Sequence, residues 1–319
     1  MQAEHRADDT GGQKDLYVIV NPAAGAGRTR KRWPKIAAEL VRRGFRVHAS
    51  LTEGPGHATA KVRDWLRAGV AHIVAVGGDG TVNEVANGFL DGQVDPSAAA
   101  KLSVIPSGTG HDFARSVGIH SLDDAFRALA RNESHLIDAA RAVFRNGEAQ
   151  MCRFFVNAAD VGLGAAAAAA VNRSRKLIGG LWTYVAGALR ALWSFRCVPT
   201  VVEVDGQRVS DGLAEMVLIA NGRFHAGGMR MAPMASPNDG WLEVLVLRQI
   251  SRFELLLSLL PRVYHGRHLN HPAVTHARGR KVAIRCAEPL LFEMDGEQPG
   301  TTDVAIELVP AALRVTTGL

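Results

Sequence analysis

Gly77-Gly78-Asp79-Gly80-Thr81-Val82-Asn83-Glu84 joins an apolar run, His72 to Val76, to a helical pattern that continues from Val82 to Leu90. Glycine frees the backbone to turn tightly and exposes its N–H groups, and a helix N-terminus draws anions. A carboxylate at the tip of such a turn is out of place beside a phosphate unless a cation lies between them. Magnesium fits, because it is usually held by one or two carboxylates and completed by water and phosphate oxygens. The plainer alternative makes Asp79 and Thr81 ordinary helix caps.

Working outward, short apolar β-branched runs alternate with helical patterns, the signature of βαβ units around a buried parallel sheet. The strands are expected at Leu16 to Val20, Phe45 to Leu51, His72 to Val76 and Leu102 to Ile105, and the helices at Arg30 to Arg43, Gly56 to Ala68 and Val82 to Leu90. Each strand runs into a small-residue turn, and these turns gather at one sheet edge, where open α/β sheets take ligands. The first reads Asn21-Pro22-Ala23-Ala24-Gly25-Ala26-Gly27-Arg28, and the fourth Pro106-Ser107-Gly108-Thr109-Gly110-His111-Asp112-Phe113-Ala114-Arg115. The first lacks the Walker lysine with Ser or Thr and the full GxGxxG spacing. Either turn alone would pass for a plain strand-to-helix connection, with Ser107 or Thr109 as a cap.

Beyond Glu133 the pattern changes to longer strands without helices at βαβ spacing, among them Thr200 to Val204 and Trp241 to Leu247, so this half reads as largely antiparallel. Helical stretches at Gly164 to Phe195 and Phe253 to Tyr264 interrupt it. Pro237-Asn238-Asp239-Gly240-Trp241 reads as a turn into a strand, and Glu293-Met294-Asp295-Gly296-Glu297 as an Asp-Gly hairpin turn.

NPAAGAGR, GGDGTVNEVANGF and PSGTGHDFARSVGI together resemble the successive motifs of the diacylglycerol kinase catalytic-domain family, and the resemblance covers the chain after Leu16. It implies an α/β N-terminal nucleotide-binding domain with a parallel sheet, NAD-kinase and phosphofructokinase-like, followed by a mainly antiparallel β-sandwich domain, with the active site in the cleft between. The divisions expected are a disordered lead-in over 1–14, an ATP-binding domain over 15–135 and a β-rich lipid-substrate domain over 136–319. The resemblance further implies an ATP- and Mg²⁺-dependent lipid kinase that moves the γ-phosphate of ATP to a diacylglycerol-like hydroxyl. Position by position, Asn21, Pro22, Ala23, Ala24, Gly25, Thr52, Gly78, Asp79, Gly80, Thr81, Val82, Asn83, Glu84 and Thr109 would contact ATP. Glu297 would be the proton acceptor, with Asp295 and Asp79 as rivals. The Asp239 carboxylate and the carbonyls of Ser236 and Trp241 would hold a magnesium ion linked to Asp79 through water. His111 departs from the family's usual asparagine.

Among 319 residues, 47% are apolar and 21% charged, the balance of an ordinary globular protein with a sizeable core, and the net charge of +6 implies weak attraction to anionic partners. Cys152, Cys197 and Cys286 are odd in number and lack metal-ligand spacing, which argues for a reducing cytoplasm. No export signal precedes Lys14, and Arg190 and Arg196 break the most apolar region, so the expectation is a protein peripheral to the inner membrane face. Two segments suit docking: Arg173 to Arg196, with Arg175 and Lys176 beside the face of Trp182, Val185, Leu189, Leu192 and Trp193, and Leu255 to Leu260, followed by Arg262, His265, Arg267 and His268. Core packing explains both stripes equally well. The competing readings are another GGDGT kinase, such as an NAD kinase, and a basic nucleic-acid-binding protein. No RNP, KH or zinc-finger pattern supports the latter. The partner expectation is a lipid substrate at a membrane surface and no nucleic acid, with a homodimer left open.

Overall fold

A computed structural model describes residues 14–90, 100–108, 110–174 and 192–318, with backbone alone over 170–174. Strands β1 (Lys14–Val20), β2 (Phe45–Leu51), β3 (His72–Gly77) and β4 (Lys101–Pro106) alternate with helices α1 (Arg28–Arg42), α2 (His57–Arg67) and α3 (Asp79–Leu90). β1 pairs in parallel with β2 and with β3, and β3 with β4. β3, β4 and β1 from Leu16 onward are largely buried because helices cover them, and these stretches run apolar without alternation for that reason. The chief difference from the sequence reading is that α3 starts at Asp79, three residues before Val82.

Helices α4 (Asp112–Ser116) and α5 (Leu122–Arg131) lead into an antiparallel region. Its strands are β5 (Ser134–Asn146), β6 (Ala149–Phe155), β7 (Ala158–Gly162), β8 (Val198–Val204), β9 (Gln207–Ala220), β10 (Leu242–Arg248), β11 (Val274–Gly279), β12 (Lys281–Cys286), β13 (Leu291–Met294) and β14 (Glu297–Thr316), with helix α6 (Leu163–Ser174) after β7. Every pairing among these strands is antiparallel.

Packing changes hands along β5. Ile137 and Ala139 belong to the core around β1, β3 and β4, whereas Ala140, Ala142 and Phe144 belong to a second core built on β7, β9, β10, β12 and β13. The long β14 returns the chain in the opposite direction: Val304, Ile306 and Leu308 pack in the second core, while Ala312, Leu313 and Val315 pack in the first. Val315 pairs in parallel with Leu102 of β4, so β14 closes one hydrogen-bonded path from β2 to β11. The hairpin between β13 and β14 is thereby carried beside the turn that follows β3.

Phe292 of β13 is fully buried, with its ring centroid 5.3 Å from that of Phe144. Phe292→Ala removes this contact and leaves a cavity, and should lower the free energy of unfolding in urea by about 3–5 kcal/mol. A loss below about 1 kcal/mol would mean that the second core does not hold β13 in place.

Candidate active site

Three glycine turns meet at the carboxyl ends of β1, β3 and β4. A Cβ placed on Gly108 would lie 2.6 Å from the Gly78 Cα, so a side chain there would separate these turns, and Gly25 stands in contact range of Gly108, with a Cβ on it 3.5 Å from the Gly108 carbonyl carbon. Gly25, Ala26 and Gly27 all take positive φ, at 62°, 56° and 82°, which curls the first turn ahead of α1. Side chains lock the turns together. Asn21 Nδ2 donates to Thr81 Oγ1 at 3.0 Å, its Oδ1 accepts from the Ala23 N–H at 3.0 Å, and Thr29 Oγ1 lies 3.0 Å from Ser107 Oγ.

The expected nucleotide residues divide into two groups. Asn21, Ala24, Gly78, Asp79 and Gly80 are partly open, Ala23 is exposed, and Pro22, Gly25 and Thr81 are buried within the turns. Thr52 is half-buried at the end of β2, with its N–H on the Val20 carbonyl at 2.8 Å. Thr109 lies outside the described residues. Val82, Asn83 and Glu84 turn away, because the early start of α3 places them in its first turn. Val82 enters the core, and Asn83 donates to the Phe154 carbonyl at 2.9 Å and to Asp295 Oδ2 at 3.0 Å. The Glu84 carboxylate accepts from the N–H groups of Gly56 at 3.0 Å and Ala58 at 3.2 Å, and so caps α2. Val82 and Asn83 brace the site, and Glu84, although it caps α2, lies near enough to Glu297 for its charge to raise that carboxyl.

Across the cleft stands the β13–β14 hairpin. The Glu297 carboxylate occupies the space where a Cβ on Gly80 would project, and a Cβ on Gly296 would lie 3.8 Å from the Gly80 nitrogen. Glu297 remains open to solvent, yet the surrounding protein raises its carboxyl above the ordinary range by burial, with Arg153 pulling the other way. Arg153 also donates to Asn83 Oδ1 at 2.9 Å. Asp79 is pushed up to about 7, first by burial and then by the charge of Asp112, although its Oδ1 accepts the Phe113 N–H at 3.0 Å. Such a carboxylate gains from a cation beside it. His111, at the start of α4, keeps Nδ1 buried without a hydrogen-bond partner and is held below the ordinary histidine range by burial and by Arg115.

Asp295 does not behave as a free base. Its carboxylate is buried and accepts four hydrogen bonds, from Asn83 Nδ2 at 3.0 Å and from the N–H groups of Val156, Asn157 and Ala158 at 2.8, 3.1 and 3.0 Å. The Asp239 carboxylate is also engaged: Arg278 pairs with Oδ2, and the Trp241 N–H donates to Oδ1 at 3.1 Å. The Ser236 carbonyl accepts the Asp239 N–H at 3.3 Å. A cation there would compete with the Arg278 guanidinium, whereas Asp79 has no cationic side chain in contact among the described residues. Gly240 is tied instead to Asp138, which accepts its N–H at 2.8 Å.

The sequence reading passed over Asp160, His225 and Glu293. They come from β7, the 221–230 loop and β13, and no spacing in the sequence announces their meeting. Burial alone would depress His225, but the carboxylates of Glu293 and Asp160 overcome it and push the imidazole up to about 10. Burial holds Glu293 well above the ordinary carboxylate range.

Residues 15–142 match the diacylglycerol kinase catalytic domain, and residues 157–317 match the YegS C-terminal NAD kinase beta sandwich-like domain. The chain belongs to the diacylglycerol kinase catalytic-domain family. Lipid kinase YegS of Escherichia coli (strain K12) is 30% identical over 277 residues, which are 86% of this chain and 87% of that protein. A diacylglycerol kinase of Staphylococcus carnosus is 27% identical over 293 residues, 90% of each chain. In overall fold, a crystal structure of a diacylglycerol kinase from Bacillus anthracis superposes with a TM-score of 0.68 at 22% identity, over 96% of this chain and 97% of that one. Yeast NADH kinase reaches 0.51 at 12% identity, over 95% and 82%. The family's two-domain plan, an α/β domain followed by a β-sandwich, is therefore present.

Two substitutions separate chemistry from bracing. Asp79→Asn should cut phosphotransfer by at least about a hundredfold, the scale lost with one preorganised electrostatic group. Because ionised Asp79 is disfavoured by burial, its folded-state pKa is raised, and its charge costs stability as pH rises through about 7. Neutral asparagine keeps an acceptor for Phe113, so the melting temperature at pH 8 should be unchanged or higher. Asp295→Ala should instead unfold the protein by more than about 3 kcal/mol, since each stranded buried donor costs about 1–3 kcal/mol. Full activity in Asp79→Asn at saturating magnesium, or an undiminished unfolding free energy in Asp295→Ala, would reverse these roles.

Proposed function

We propose that this chain transfers the γ-phosphate of ATP to the hydroxyl of a diacylglycerol-like lipid, at the cytoplasmic face of a membrane. The observation that carries the reading is the seat of the Glu297 carboxylate against Gly80, one residue from Asp79, in a chain whose curated relatives are lipid kinases. The glycine turns bring backbone N–H groups toward one place and suit the phosphates. Asp79 is the residue best fitted to hold magnesium beside them, and the ion, when bound, would neutralise charge on the phosphate oxygens. Phosphoryl transfer leaves the protein mainly to align and to stabilise charge. Glu297 takes the proton of the lipid hydroxyl, and its raised pKa makes it a stronger base than an ordinary glutamate. Asn83 and Asp295 keep the hairpin at the right height for that step. An NAD kinase reading is disfavoured, since the NADH kinase of yeast shares the fold at only 12% identity.

The acceptor lies in a bilayer, and no described helix is long and apolar enough to cross one. The short helices Arg252–Glu254, Leu255–Leu259 and Leu260–Val263 divide their apolar residues between two faces. Leu259 and Val263 are buried, while Phe253 is 70% exposed and Leu257 77%. Tyr264 at 59% and Trp193 at 58% are also open, and Arg262, His265 and Arg267 stand exposed nearby. His268 does not join them: it is buried, with Nε2 2.8 Å from the Met231 carbonyl. Arg175, Lys176, Trp182, Val185 and Leu189 lie outside the described residues, as does the Arg173 side chain, and Leu192 is buried. These exposed residues support docking through the 252–267 patch together with Trp193.

With radiolabelled ATP and a panel of lipids in mixed micelles, diacylglycerol-type acceptors should be labelled, and Glu297→Gln should lower kcat about a hundredfold to ten-thousandfold with little change in nucleotide affinity. The base must be ionised to act, so wild-type kcat should fall on acidification along a limb above the ordinary glutamate pKa of about 4.3, and the variant should lack that limb. A variant that retains both turnover and limb would remove Glu297 from proton transfer, and label in NAD in place of any lipid would overturn the substrate class.

Phe253→Ser with Leu257→Ser should weaken binding to anionic vesicles at least about tenfold, given about 1.5–3 kcal/mol for each large apolar side chain buried. Residual binding should fall with salt. Equal sedimentation of wild type and variant would place the docking surface elsewhere.

A further inference from the structure

Asp160 and Glu293 are partners directly opposite each other on adjacent antiparallel strands, β7 and β13. Both are sealed from solvent, at 1% and 2% exposure. Like charges directly opposite on a sheet are unfavourable, and burial multiplies the cost of each. Either a proton held on one acid or a cation between the two must reconcile them. His225 supplies one candidate, with Nε2 3.0 Å from Asp160 Oδ2 and 3.4 Å from Glu293 Oε2. A ring nitrogen carries a single proton, however, and the hydrogen bond goes to Asp160. Glu293 Oε2 is left buried without a hydrogen-bond partner, although Oε1 accepts the Gly296 N–H.

We propose that Asp160, His225 and Glu293 form a divalent transition-metal site, of the zinc class, separate from the magnesium expected at the nucleotide. One ligand atom from each residue lies within 4.8 Å of the others. Ligands about 2.0–2.2 Å from a tetrahedral ion stand about 3.4 Å apart, so the three atoms need only small shifts to share one ion. An imidazole with two carboxylates suits zinc, cobalt, iron or manganese better than magnesium, which prefers oxygen alone. The surroundings are built to keep the carboxylates in position. Asp160 Oδ1 accepts the Ala165 N–H at 2.6 Å, and a Cβ on Gly164 would come 2.7 Å from both Asp160 carboxylate oxygens. The ion would tie β7, the 221–230 loop and β13 together, two residues from the Asp295 clasp and four from Glu297.

Chelator-stripped protein, held in excess magnesium, would be titrated with Co²⁺ and followed by visible d–d absorption. One equivalent should bind with the bands of low-coordinate cobalt, and Zn²⁺ should displace it. Asp160→Asn, His225→Gln and Glu293→Gln, each checked by circular dichroism, should raise the Kd at least about a hundredfold, more than the loss of an outer-shell partner costs. X-ray absorption at the cobalt edge of the wild type gives a reading independent of any variant and should show one imidazole in the coordination shell. No cobalt bands in the wild type, a shell without imidazole, or folded variants that bind cobalt as tightly as wild type would each overturn the site and leave a triad held by a proton alone.

Discussion

The Asp295 carboxylate is the point through which the two halves of the catalytic cleft are held in register. It accepts three consecutive backbone N–H groups from the β6–β7 link and the Asn83 amide from α3. A buried carboxylate is expensive unless its lone pairs are filled, and here every donor comes from a segment whose position matters. Asn83 belongs to the helix that opens at the glycine turn. Val156, Asn157 and Ala158 lead into the strand that carries Asp160, Ala158 being its first residue. Asp295 itself begins the hairpin that presents Glu297, with φ of 48° to make the turn. Because the clasp joins residues 212 positions apart in sequence, neither half can shift without losing it.

Around this clasp the molecule spends stability on function. Asp79 is an acid held in surroundings that disfavour its charge, next to a second acid, Asp112. Glu297 is left open to solvent at the rim while burial still raises its pKa. Neither arrangement helps the fold, and perturbed carboxyls of this kind cluster at functional sites. The glycines keep this arrangement close, since a side chain at Gly108 would collide with Gly78 and one at Gly80 would displace the Glu297 carboxylate.

Much of this was legible in the residue order. The apolar runs ending in small-residue turns announced β1, β3 and β4, because helices leave those strands little polar side, while β2 at the sheet edge keeps exposed residues such as Arg46. The family motifs led to Asp79 and Glu297, and the fold seats the Glu297 carboxylate against Gly80, the neighbour of Asp79 in the chain. The helical period misled at the start of α3: Asp79, Gly80 and Thr81 carry no apolar signal, so the helix begins earlier than its stripe suggests, and Val82 and Asn83 turn into the core and the Asp295 clasp. Asp295 and Asp239 resembled free acids until their partners were known, and those partners, Asn83 and Arg278, are distant in sequence. The register that sets Asp160 against Glu293 cannot be read from either strand alone.

The most direct test of the shared cleft is a crystal structure of the complex with a non-hydrolysable ATP analogue and magnesium. The account predicts the terminal phosphate between the Gly78–Gly80 turn and the Glu297 carboxylate, with the metal on Asp79. A nucleotide whose phosphates lie away from that turn, or a metal held at Asp239 with Arg278 displaced and Asp79 unligated, would contradict it.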